Sequence, residues 1–346
     1  MKINQEQYQA LLNKLEAIEK ALNGGKGSGN WGHAGRPGKV GGSGKNKGTS
    51  SIFTKASKER LTRKWSSIAD KPLAHPELAY IIEAGRKGIP VSLDKLLQEP
   101  AIQEAIKRSE YDKDTLEEHK GDKKREKLQN EMVERLLDDS VNGAFTHKDD
   151  KGNEVFDGKV DRNKEAFIVI GRPAGGKSSV FANPTSKENN ARIIDSDMVK
   201  KWLPEFDKGF VAGRVQNESA MIAEKALEKA ISRGENVVIP KVGGLNSITK
   251  MAQSLKDKGY KVTLQNNTVS EQSSILRAMS RFAETGRFLS PTYLASIGDK
   301  ADKTFKALAN NKDLIDKAAW KTNTVAFGKQ PKLLWKTGDD PKKLNT

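Results

Sequence analysis

The spacing of apolar residues changes character along this chain. Over residues 3–22, "INQEQYQALLNKLEAIEKAL", Tyr8, Leu11, Leu15, Ile18 and Leu22 recur at intervals of three and four. That spacing draws a narrow apolar stripe on a helix, fit for a short coiled coil or for docking one helix on a partner surface. Residues 51–145 predict further helices, broken at Pro72, Pro76, Pro90 and Pro100. Within them, 114–141 reads as one long charged helix or a helix pair, with Leu128, Met132, Val133, Leu136 and Leu137 as its buried stripe. Residues 146–164 are polar and turn-rich and predict a loop.

From residue 165 the apolar positions fall into unbroken runs. "AFIVIG" (166–171), "ARIID" (191–195), "NVVIP" (236–240) and "YKVTLQN" (260–266) read as strands buried on both faces. Helical stretches at 217–233 and 246–258 alternate with them, which predicts an α/β fold with a parallel sheet flanked by helices. "TNTVAFGKQPKLLWKT" (322–337) predicts a closing hairpin, and 338–346 a polar tail. Asn183-Pro184 predicts that the helix after the first strand stops after about a turn and a half.

Composition sharpens the N-terminal part. Residues 24–50 are a basic, glycine-rich stretch, with eleven glycines between 24 and 48, and predict a flexible linker. The 346-residue chain carries 61 Lys and Arg against 45 Asp and Glu, a formal charge of +16. Residues 1–66 hold thirteen of the basic and four of the acidic residues, so this arm is suited to nonspecific nucleic-acid contact or to solvation alone. The mean hydropathy of −0.69 predicts much solvated sequence around a smaller core. Cysteine is absent, which excludes disulfides and cysteine-ligated zinc. No apolar run reaches the ~18 residues of a membrane span, and the N-terminus lacks a signal-peptide core, so the expectation is a cytoplasmic protein.

The candidate chemistry starts at "GRPAGGKSS": Gly171, Arg172, Pro173, Ala174, Gly175, Gly176, Lys177, Ser178 and Ser179. This fits G-x-x-x-x-G-K-S between a buried strand and a helix. In such a loop, backbone N–H groups surround phosphate, the lysine reaches the β- and γ-phosphates of ATP, and Ser178 binds Mg²⁺. The bland alternative is a glycine turn with a solvated lysine. Asp195 and Asp197 follow the second strand, where ligands bind in parallel sheets. Two carboxylates there suit Mg²⁺ binding, with Asp195 as the metal ligand, and deprotonation of an attacking hydroxyl. Asp197 could instead cap the next helix. Arg277, Arg281 and Arg287 follow the fourth strand, placed either to close over a triphosphate or to line a solvated face.

In order, GxxxxGKS, "IDSD", "ESAMIAEKAL", "NVVIPKVGG", "KGYKVTL" and "RFAETGRFLSP" resemble the zeta toxin family of P-loop kinases over about residues 125–337. The resemblance implies phosphorylation of a hydroxyl of UDP-N-acetylglucosamine by ATP–Mg²⁺, inhibition of bacterial cell-wall synthesis, and an antitoxin partner. It implies Lys177 as the loop lysine, Asp197 as the base, and Arg281 and Arg287 as phosphate clamps. The family's Glu-Gly-Thr after the third strand, which helps hold the sugar, is here "IPKVGG", with Pro240 and Lys241. Lys241 suits an anionic acceptor, and Glu224 offers another carboxylate for the substrate. Separately, "GNWGHAGRPGKVGGS" looks like a glycine-rich module of bacteriophage-encoded proteins, which implies a phage or prophage source and a phage structural protein as a possible partner. Two other readings remain: a virion- or nucleic-acid-associated binding protein with a P-loop, and a kinase of a nucleotide or polynucleotide end.

Overall fold

The fold is that of a computed structural model, which describes residues 73–138, 146–148, 154–156, 160–325 and 330–344. The predicted N-terminal helix, the glycine-rich linker and the phage-like module lie outside the described residues.

Six strands form the central sheet: β3 (Glu165–Gly171), β4 (Arg192–Ile193), β5 (Val237–Lys241), β6 (Lys261–Thr268), β7 (Lys317–Thr322) and β8 (Lys332–Lys336). Their order is β4-β5-β3-β6-β7-β8, parallel except for the antiparallel β7/β8 pair. β3 lies between β5 and β6, so the chain leaves it to one side and later returns to the other. This is the switch point at which parallel sheets open a crevice for ligands.

The unbroken apolar runs reflect a sheet covered on both faces. Ala166, Ile168 and Ile170 of β3 point into one core, with Val237, Ile239, Val262 and Leu264. It is roofed by α8 (Gln216–Ser232), α9 (Leu245–Asp257) and α12 (Lys300–Leu308). Phe167 and Val169 point the other way, onto Val180, Phe181 and Ala182.

The region before the sheet is helical, as predicted: α1 (Ala79–Lys87), α2 (Leu93–Leu97), α3 (Pro100–Arg108), α4 (Thr115–Glu118) and α5 (Lys123–Leu137). The helix-pair reading of 114–141 holds, with Asp114 and Asp122 as separate N-caps. Met132, Val133, Leu136 and Leu137 are buried in the sheet's main core, and Leu128 packs against it. The same face of α5 also buries Arg125 and Gln129. Arg125 pairs with Glu218 of α8 (Nε–Oε1, 2.7 Å) and, through both terminal nitrogens, with Glu205 (2.9 Å each). Helices α1 to α3 build a second core with Phe210, α10 (Glu271–Thr285) and α11 (Pro291–Ser296).

Four expectations are corrected. Residues 146–164 do not form only a loop: β1 (Thr146–Lys148) and β2 (Glu154–Phe156) pair antiparallel, because main-chain pairing tolerates polar side chains. The closing hairpin is real, but its first strand is "KAAWKT" (317–322), upstream of the predicted segment, where Ala318 and Trp320 supply the inward alternation. The strand predicted over 191–195 shortens to Arg192–Ile193 because Asp195 turns to cap the next helix. Finally, Asn183-Pro184 does not end its helix. Residues 178–182 form a π turn in which the Asn183 N–H reaches Ser178 O, and α6 (Asn183–Glu188) continues from it. The wider turn places Pro184 in the first turn of the α segment, where a missing N–H costs nothing.

Candidate active site

The loop Gly171–Ser179 leaves the carboxyl end of β3. Ala174 (φ 54°) and Gly176 (φ 88°) are left-handed, and this alternation turns successive N–H groups to one side as an anion nest. A Cβ at Gly171 would lie 2.5 Å from the backbone Asn267 O, so glycine is required there for space as well as φ; at Gly176 φ requires it, and a Cβ 2.6 Å from Asn323 Nδ2 would displace that amide. Lys177 Nζ folds back over the loop onto Gly171 O (2.9 Å) and Arg172 O (3.1 Å). Its pKa is lowered by burial, against the opposing pull of Asp195 and Asp197. Ser178 and Ser179 are exposed at the start of the helix. Ser179 Oγ donates to Gly176 O, while Ser178 Oγ has no partner among the described residues. Arg172 turns away from the loop and donates to Leu294 O and Gly298 O (2.6 Å each), tying the loop to α11.

Asp195 is the N-cap of α7 (Ser196–Lys200), its Oδ1 accepting from Asp197 N at 2.9 Å. Asp197 is therefore not the cap, and its carboxylate is available for other work. Lys200 Nζ lies 2.9 Å from Asp197 Oδ1, and the Arg287 guanidinium 3.8 Å from Oδ2. Burial alone would raise the Asp197 pKa, but Lys200, Arg287 and Lys177 outweigh it and hold the carboxyl below its usual range. Asp195 is shifted the other way, raised by burial and by Asp197. The two carboxylates thus differ in basicity, a division of labour set by their surroundings.

The three arginines divide as well. Arg277 is committed to backbone, donating to Gly175 O (3.1 Å) and Asn323 O (2.7 Å). Arg281 is exposed and its guanidinium has no hydrogen-bond partner among the described residues. Its pKa is lowered by surrounding protein and by Arg287. Arg287 faces Asp197. Lys241, at the end of β5, is in register with Ile170 just before the loop. Burial lowers its pKa, while Asp195 and Glu224 act to raise it. Glu224 is exposed on α8.

Lys177, Asp195, Asp197 and Arg287 are thus one electrostatic cluster, and Lys241 with Glu224 borders it at Asp195. Sequence reasoning missed Lys200, Asn267, Asn323 and Tyr293. Tyr293 of α11 is 47 % exposed, and its hydroxyl pKa is raised by burial and by the charge of Asp197. The legible signal was Asn266-Asn267, two polar residues closing an apolar central strand.

The fold and the loop define a P-loop phosphotransferase. A model of the zeta toxin family matches residues 152–327, about half of the chain. The chain belongs to the zeta toxin family. Among solved structures it is similar to one from the chromosomal PezAT toxin–antitoxin system of Streptococcus pneumoniae, at 17 % identity and a TM-score of 0.46. That match covers 67 % of this chain and 85 % of the other. It is also similar to the AvrRxo1-ORF1:-ORF2 structure with ATP, at 14 % identity and a TM-score of 0.43, covering 64 % and 71 %. Comparison with curated protein sequences found no match. Among the described residues no helix is long and apolar enough to cross a membrane.

Proposed function

We propose that this protein transfers the γ-phosphate of ATP to a hydroxyl of UDP-N-acetylglucosamine or a related nucleotide sugar, and so inhibits bacterial cell-wall synthesis. The observation that carries the reading is Asp197. It is freed from capping by Asp195, held ionised by cations, and within the electrostatic reach of the loop lysine. Lys177 and the loop amides bind the triphosphate. Asp197 takes the proton from the acceptor hydroxyl, and Arg287 and Arg281 stabilise charge on the group in flight. Ser178 Oγ and the Asp195 carboxylate are the hard oxygen donors that Mg²⁺ requires, and such an ion would neutralise phosphate charge.

Lys241 and Pro240 replace the acidic sugar contact that the resemblance implies. The acceptor side therefore favours a substrate with extra negative charge, balanced by Glu224. An antitoxin is the proposed partner, in the cytoplasm of a bacterial host, with a phage or prophage source. The basic arm adds at most nonspecific nucleic-acid contact.

The test is a transfer assay with ATP–Mg²⁺ and UDP-N-acetylglucosamine, read by mass spectrometry, with Lys177→Ala and Asp197→Asn beside the unaltered protein. A product heavier by one phosphoryl group, absent from both variants, is expected. Nucleotide binding without such a product refutes the acceptor, and the screen then moves to more anionic nucleotide sugars.

A further inference from the structure

The Gly175 carbonyl is engaged by more donors than its two lone pairs need. Asn267 Nδ2 lies 2.9 Å from it, Asn323 Nδ2 2.8 Å and Arg277 Nη1 3.1 Å. The three come from separate places: the end of β6, the middle of α10 and the exit of β7. They also hold one another. Arg277 Nη2 donates to Asn323 O (2.7 Å), and Asn323 N to Thr268 O (2.8 Å). Asn267 is fully buried.

Peptide planarity gives this arrangement a consequence. The Gly175 C=O and the Gly176 N–H belong to one trans peptide and point in opposite directions. Fixing the carbonyl outward fixes the Gly176 N–H inward, toward the nest. That N–H has no acceptor among the described residues. A Gly-Gly peptide lacks both Cβ atoms and flips readily, and a flip would present a carbonyl oxygen to phosphate. We propose that Asn267, Arg277 and Asn323 are positioning residues that clamp the Gly175–Gly176 peptide with its amide toward bound phosphate. The inference rests on reading residues 171–179 as a phosphate-binding loop. It gives Arg277 a task different from that of Arg281 and Arg287: it acts on the loop, not on the substrate.

The experiment is calorimetric titration of the full chain with inorganic tripolyphosphate and with ATP–Mg²⁺, for the unaltered protein, Asn323→Asp, Arg277→Met and Arg277→Lys. Asn323→Asp keeps the side-chain size but sets a carboxylate against the Gly175 oxygen. At least ten-fold weaker tripolyphosphate and ATP binding is expected for Asn323→Asp and Arg277→Met, with a smaller loss for Arg277→Lys, which keeps one donor. Their melting temperatures should stay within a few degrees of the unaltered protein. With ¹⁵N-glycine labelling, tripolyphosphate should shift the Gly176 amide resonance in the unaltered protein and leave it in place in Asn323→Asp. Affinity within two-fold of the unaltered protein in both Asn323→Asp and Arg277→Met would overturn the clamp. Absence of tripolyphosphate binding by the unaltered protein would overturn the loop reading and the clamp together. No sugar enters either readout, so an error in the acceptor leaves the result intact.

Discussion

At the residue scale, the loop glycines and the cations around Asp197 decide most. Gly176→Ala would force a left-handed φ on an L-residue and press its Cβ onto Asn323 Nδ2. We expect at least a ten-fold loss of ATP affinity, measured by titration, with secondary structure unchanged by circular dichroism. Lys241→Glu tests the acceptor side separately. It reverses the charge beside Asp195 and Glu224, so KM for an anionic acceptor should rise at least ten-fold while ATP affinity stays within about two-fold; steady-state kinetics with each substrate varied will show which. At this scale the structure brings together Lys177, Asp197 and Arg287, whose types and order are distinctive in the sequence. The sequence was less legible for Arg277. Spacing places an arginine on a helix face, but only the fold brings the Gly175 carbonyl to it.

At the element scale, the telling contact is α5 against α8. Arg125 lies between Glu218 and Glu205, with Gln129 also donating to Glu218. Burial opposes the Glu218 charge, yet Arg125, Thr115 and Gln129 outweigh it and lower its pKa from 4.5 to about 2. A depressed folded-state pKa means stability that is full above the unfolded value and lost as pH falls. This contribution should therefore fade between about pH 4.5 and 2, and denaturant midpoints measured across that window should fall in the unaltered protein more steeply than in Glu218→Gln. Arg125→Met leaves a fully buried carboxylate without its cation and should cost ~3–5 kcal/mol, read from urea unfolding. None of this was visible beforehand. Arg125 sits in "DKKREKLQ", a run that reads as a solvated face, and its burial follows from which side of α5 meets α8.

At the scale of the whole molecule, the helices before residue 138 are part of the folded body. α5 contributes to the sheet's main core, and α1 to α3 share the second core with α10 and α11, the segment that carries Arg277, Arg281, Arg287 and Tyr293. The family match begins only at residue 152. Removing residues 1–145 would expose both apolar faces, so the remainder should lose cooperative thermal unfolding and bind a hydrophobic dye. Calorimetry and dye titration on that truncation beside the full chain read the outcome.

The sequence by itself determined the parallel sheet, the phosphate-type loop and the order of the charged motifs. Those properties are local: a run of apolar residues buries two faces, and Gly171 and Gly176 supply backbone angles and a close approach that a side chain would hinder. Tertiary structure decided which polar residues serve the loop, that Arg287 faces Asp197, and how the N-terminal helices support the arginine-bearing segment. Each depends on residues about 90 to 200 positions apart meeting in the folded chain, as Gly175 meets Asn323, Asp197 meets Arg287 and Ile81 meets Ser280, and no local pattern encodes such a meeting.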